Sequence, residues 1–127
     1  MKKIGIIIIY FGKLPEYFHY FLAGCIFNSH IEWILFTDQD MSPESAGNIH
    51  YNYFTLNQFN ELASKKLEFN VGITDVYKIC DFKPVYGLIF EDFLKIYDYW
   101  GYCDIDMIPG RLDLFLAEDI LKNIDDL

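Results

Sequence analysis

The feature that most constrains this chain is the run Ile4-Gly5-Ile6-Ile7-Ile8-Ile9-Tyr10, apolar and β-branched almost without a break. A strand with one wet face alternates apolar and polar residues. An unbroken run needs apolar cover on both faces, the condition of a strand inside a parallel sheet. Helices must supply that cover, so an α/β architecture is the expectation. Met1-Lys2-Lys3 ahead of the run superficially resembles a secretion signal. The run is too short and β-branched for that, and no small-residue cleavage site follows it. No stretch approaches the ~20 apolar residues of a membrane-spanning helix.

The rest of the chain reads as alternating elements within one domain, residues 1–127. Pro15 suits the first position of a helix, whose face is Phe18, Phe21, Leu22, Cys25 and Ile26 and which ends near Asn28. Trp33 to Thr37 reads as a second strand, closed by Asp38-Gln39-Asp40. Met41 to Asn48 reads as loop, and Ile49 to Phe54 as a third strand. Thr55 and Gln58 form a capping box, with Phe54 and Phe59 at the staple positions. Phe59, Leu62, Ala63 and Leu67 mark the buried face of the helix that follows. Phe69 to Val76 reads as loop. Pro84 can open a helix with an apolar stripe of Val85, Leu88, Ile89, Phe93, Ile96 and Tyr97. Trp100 to Cys103 forms a short strand aimed at Asp104. Beyond Gly110, Leu112–Leu116 and Asp119–Ile124 read as helical. The pattern predicts a mainly parallel sheet flanked by helices.

Charge narrows the partners. The formal net charge is −9, with 10 Lys and Arg against 19 acidic residues. That balance argues against nucleic acid, whose binding depends on cationic side chains displacing counterions, and against docking on an anionic membrane. An acidic protein that handles a phosphorylated ligand needs a divalent cation between the two. Cys25, Cys80 and Cys103 are odd in number and form no Cys-x-x-Cys pair, so neither a zinc ribbon nor a disulfide framework is indicated. The expectation is three reduced, mostly buried thiols in a cytoplasmic protein.

Two Asp-x-Asp tripeptides follow apolar strands: Asp38-Gln39-Asp40 and Asp104-Ile105-Asp106. With 12 aspartates in the chain, roughly one such pair arises by chance, so context decides. Both fall at the carboxyl edge of the sheet, where open α/β folds bind ligands. Only the second continues into a turn, Met107-Ile108-Pro109-Gly110, that holds its carboxylates in a fixed loop. Hard cations take oxygen ligands and leave positions open for phosphate and water, and an i, i+2 pair can reach one ion. The plainer alternative is a pair of turn-forming residues ending a strand.

The stretch Tyr77-Lys78-Ile79-Cys80-Asp81-Phe82-Lys83-Pro84, followed by Tyr99-Trp100-Gly101-Tyr102-Cys103-Asp104-Ile105-Asp106, resembles bacterial DXD-containing GT-A glycosyltransferases of surface-polysaccharide assembly. The resemblance runs in order from the first strand to Arg111. It implies a GT-A fold with its C-terminal part truncated, the acceptor-binding C-terminal half being absent. It further implies that Tyr10, Phe11 and Gly12 line a nucleotide and that Asp38 sits beside its base. Asp81 and Lys83 would approach the nucleotide, and Asp104 and Asp106 would hold Mn²⁺ or Mg²⁺ on the diphosphate of a nucleotide sugar. The donor implied is a UDP-sugar and the acceptor a saccharide. Exposed apolar surface left by a missing half would invite a homodimer.

Each assignment has a plainer counterpart. Asp38 can cap a loop, and Lys83 can be a solvated lysine ahead of a helix. Glu91 and Asp92 can pair with Lys95, and Arg111 can pair with Asp113 rather than phosphate. His19, His30 and His50 fall in no metal-ligand spacing. Tyr17, Phe18, Tyr20 and Phe21 read as core and helix surface, while Tyr97, Tyr99, Trp100 and Tyr102 lead into the aspartate loop. Two other functions fit the same residues: a noncatalytic nucleotide-sugar-binding module, and a haloacid dehalogenase-type phosphatase with Asp104 as nucleophile.

Overall fold

The computed structural model describes residues 2–40 and 47–116. The region 41–46 within the expected loop and the expected Asp119–Ile124 helix lie outside those residues. Four strands, β1 (Ile4–Tyr10), β2 (Ile31–Thr37), β3 (Ile49–Tyr53) and β4 (Tyr99–Tyr102), form one sheet in the order β3-β2-β1-β4. Every pairing is parallel. The expected third and fourth strands are found within a residue of their predicted bounds.

The pleat explains the unbroken apolar run. Ile4 and Ile8 of β1, with Trp33 and Leu35 of β2, pack under α1 (Phe18–Phe27) against Phe18, Phe21 and Cys25. Ile7, Ile34 and Phe36 face the other way, into Phe59, Ala63, Ile79, Tyr86, Ile89 and Phe90. Both faces are thus covered, as a period of two requires when successive side chains leave opposite sides of the sheet.

Helix α1 starts at Phe18 rather than at Pro15. The Pro15 carbonyl instead accepts from Phe18 N–H in a preceding turn. Helix α2 (Leu56–Leu67) begins with the predicted capping box: Thr55 Oγ1 accepts from Gln58 N–H while Gln58 Oε1 accepts from Thr55 N–H. Its buried residues are Phe59 and Ala63, with Leu62 and Leu67 packed at the margin. It ends on Glu68, held left-handed at φ 60°.

The region after α2 departs from expectation. Val76–Val85 is a run of 3₁₀ turns, and the single helix expected after Pro84 is two short turns, α3 (Tyr86–Ile89) and α4 (Glu91–Leu94). Between them Phe90 leaves helical geometry and is fully buried, stacked 4.6 Å from Phe36. The break rotates the stripe: Tyr86, Ile89, Phe90 and Leu94 are buried, whereas Leu88, Phe93 and Ile96 are exposed. One aromatic side chain seated against the sheet outweighs the continuity of a helix whose intrinsic preference is small. Glu91 and Asp92 face solvent, bridged by Lys66 at 2.8 and 3.0 Å, with Lys95 also on Asp92 at 3.3 Å.

Candidate functional site

The order β3-β2-β1-β4 means the chain winds outward from β1 to β3, then returns to place β4 on the other side of β1. Between β1 and β4 the connections leave in opposite directions, opening a crevice at the carboxyl ends of these strands. A cavity of about 500 Å³ lies there. That is a size that encloses a small-molecule ligand.

Three segments build it. The end of β1 contributes Ile9, Tyr10 and Phe11, and Tyr17 stands at the entrance to α1. The loop after β4 contributes Cys103, Asp104, Ile105 and Asp106. Exposure alternates along this loop: Ile105 is 4% exposed and packs in the core beneath α1, while its neighbours Asp104 and Asp106 are both exposed. The buried isoleucine therefore anchors a loop whose two carboxylates border the cavity.

The third wall is the 3₁₀ run. Its first turn is capped by Asp75, whose carboxylate accepts from Tyr77 N–H at 3.0 Å. With three residues per turn, side chains at i and i+3 eclipse. Tyr77, Cys80 and Lys83, spaced by three, accordingly share the cavity face, and Tyr86 continues the row at the start of α3. Gly87 lets this wall close onto β4, since a Cβ there would lie 2.5 Å from the Trp100 ring.

Lys83 Nζ is 2.9 Å from Asp104 Oδ1 and 5.5 Å from the centre of the Tyr102 ring. The hydrogen bond to Asp104 raises the Lys83 pKa above its usual value, so the ammonium stays charged. The Lys83 side chain is 21% exposed but that of Asp104 is 62% exposed. Solvent screening at such a place leaves the pair at most about 1 kcal/mol. Burial, then the Asp104 charge, pushes the Cys103 thiol up to about 12. Burial likewise raises the Tyr86 phenol, whose hydroxyl leans on the Ile79 carbonyl at 3.4 Å.

The structure thus brings together Tyr10, Phe11, Lys83, Asp104 and Asp106. Gly12, Asp38 and Asp81 are not among the lining residues. Gly12, at φ 96°, adopts a conformation that favours glycine, and its N–H donates to Asp38 Oδ1 at 2.9 Å. Asp38 also accepts from Gln39 Nε2, so it ties the loop after β2 to the loop after β1. Asp81 falls off the three-residue row and is exposed. Arg111 pairs with Asp113 at 2.8 Å. All three cysteines are free, but Cys80 is exposed and only Cys25 is fully buried, correcting the expectation of mostly buried thiols. The 3₁₀ row turns Cys80 outward.

The residues that hold the aspartate loop in place carry no local motif. Asn28, 1% exposed at the end of α1, donates to the Gly24 and Gly110 carbonyls, each at 2.8 Å, and accepts from Leu112 N–H at 3.0 Å. Pro109 lies directly on Gly24. A polar residue inside an apolar helix end was the available signal, because a buried amide must find partners.

Among the described residues no group of three or more His, Cys, Asp or Glu side chains gathers in metal-binding proximity. The donor set at the cavity still fits a hard divalent cation, with two exposed carboxylates beside open volume where ligand oxygens and water complete the shell. Among the described residues no helix is long and apolar enough to cross a membrane.

Residues 6–127 match the model of a family of unknown function, DUF6625, and the chain belongs to that family. No curated protein and no solved structure matches it.

Proposed function

We propose that the chain is the donor site of a glycosyltransferase of GT-A type, binding a UDP-sugar through Mn²⁺ or Mg²⁺ on Asp104 and Asp106. The observation that supports this reading is the convergence of both aspartates, Lys83 and an aromatic wall on one cavity where the parallel sheet switches direction. Lys83 supplies a positive charge to phosphate oxygens. Tyr10, Phe11 and Tyr77 place aromatic side chains along the cavity wall, where a base or sugar can pack against them. The buried Ile105 and the Asn28 contacts hold the two carboxylates in place. A bound divalent cation would neutralise the diphosphate as its bond to the sugar's anomeric carbon breaks and an acceptor oxygen takes its place, the acceptor's proton passing to the departing diphosphate or to water.

Calorimetry with UDP-glucose, in Mn²⁺ and in EDTA, tests the reading. Saturable heat is expected in Mn²⁺ only, and no binding in either condition sinks it. A noncatalytic binding module is the second reading. Among the described residues that line the cavity the carboxylates are Asp104 and Asp106, and both are assigned to the cation rather than to acid–base work. Binding with neither release of UDP nor transfer of the sugar to any saccharide acceptor would select it.

A further inference from the structure

Resting on the donor-site reading, we infer that Lys83 and Asp104 are an exchangeable counter-ion pair that makes the cavity select a divalent cation and a diphosphate arriving together. The pair sits inside the cavity at 2.9 Å, with Asp106 lining the same space. Formally one ammonium faces two carboxylates. A dication entering alone must drive Lys83 from Asp104 or sit beside a like charge. A diphosphate entering alone meets two carboxylates and a lysine that is already engaged.

When both enter, every charge finds an opposite partner. Asp104 turns to the cation, and Lys83 turns to the phosphate oxygens. Two features of the molecule make the exchange feasible. Screening at the largely exposed Asp104 keeps the resting pair weak. The Tyr102 ring, 5.5 Å from Nζ, keeps the ammonium at the cavity wall once it leaves the carboxylate. That ring is itself fixed edge-on against Tyr86, with centroids 5.9 Å apart. Because linkage is reciprocal, the cation must tighten the diphosphate by the factor by which the diphosphate tightens the cation.

The test measures Mn²⁺ alone, uridine diphosphate in EDTA, and the two together, on the wild-type chain, Lys83→Met and Asp104→Asn. Circular dichroism serves as the control for folding. In the wild type each ligand alone should bind weakly, and each should strengthen the other by roughly 10- to 100-fold. Lys83→Met should bind Mn²⁺ alone roughly three- to fivefold tighter, the most that release of so weak a pair allows, and should lose a similar factor of that mutual strengthening. Asp104→Asn frees Lys83 and should bind uridine diphosphate in EDTA more tightly than the wild type. Unchanged or weaker Mn²⁺ binding by Lys83→Met, with the wild type still taking Mn²⁺ and uridine diphosphate together, would overturn the exchange and leave the donor site standing. A wild type that binds neither ligand overturns both.

Discussion

Gly24→Ala sets two well-characterised effects against each other. Gly24 is buried in the interior of α1. There alanine is favoured over glycine by about 0.8–1 kcal/mol through its lower unfolded-state entropy. Helix preference alone therefore predicts a stabilised protein. The tertiary structure predicts the opposite. A Cβ at this position would lie 2.6 Å from Pro109 Cδ, 2.8 Å from the Pro109 carbonyl oxygen and 3.0 Å from its nitrogen, against an ordinary carbon contact of roughly 3.5–4 Å. These are ring and backbone atoms that cannot rotate away, so the loop must retreat by about 1 Å. Overpacking of this kind costs about 1–3 kcal/mol. The retreat also stretches the Asn28 bonds to Gly110 and Leu112, each worth about 1 kcal/mol. Subtracting the helix gain leaves about 0–2 kcal/mol of overpacking, and the weakened Asn28 bonds bring the expected net loss to about 1–3 kcal/mol. Urea unfolding at unchanged slope would measure it. On the donor-site proposal Mn²⁺ affinity should fall with it, because Asp106 stands on the displaced loop. A variant more stable by about 1 kcal/mol, with Mn²⁺ binding intact, would refute the contact and its role.

Three further outcomes are expected. Asn28→Ala leaves the Gly110 carbonyl and Leu112 N–H without their buried partner and should destabilise by about 2–4 kcal/mol; a thermal midpoint within 1–2 °C (about 0.5 kcal/mol) of wild type would contradict this. Glu68→Gly relieves a non-glycine residue at φ 60° and should stabilise by about 0.5–1 kcal/mol, readable in the same unfolding curves; a loss of stability would count against the left-handed cap. A thiol reagent should modify the exposed Cys80 well before Cys25 or Cys103, whose thiols burial pushes up, that of Cys103 to about 12. Peptide mapping by mass spectrometry reads the order. Mn²⁺ with uridine diphosphate should protect Cys80, which lines the cavity, and equal labelling of all three cysteines would contradict the packing.

What the sequence determined by itself was whatever short-range pattern encodes. The isoleucine run required a strand covered on both faces, and β1 lies inside an all-parallel sheet between two packed layers. Thr55 and Gln58 announced the start of α2 because a capping box is closed within four residues. Asp104 and Asp106 were legible as a strand-end pair for the same reason. Only the tertiary structure decided which of two Asp-x-Asp tripeptides opens into a cavity, since that depends on β4 returning beside β1 rather than beside β3. It decided as well that Asp38 binds a neighbouring loop, and that Phe90 breaks a helix the apolar stripe had promised. The contacts of Asn28 and Gly24 with the aspartate loop join residues more than eighty positions apart. No local period carries such a contact, because its energy comes from surfaces that meet only after the sheet has formed.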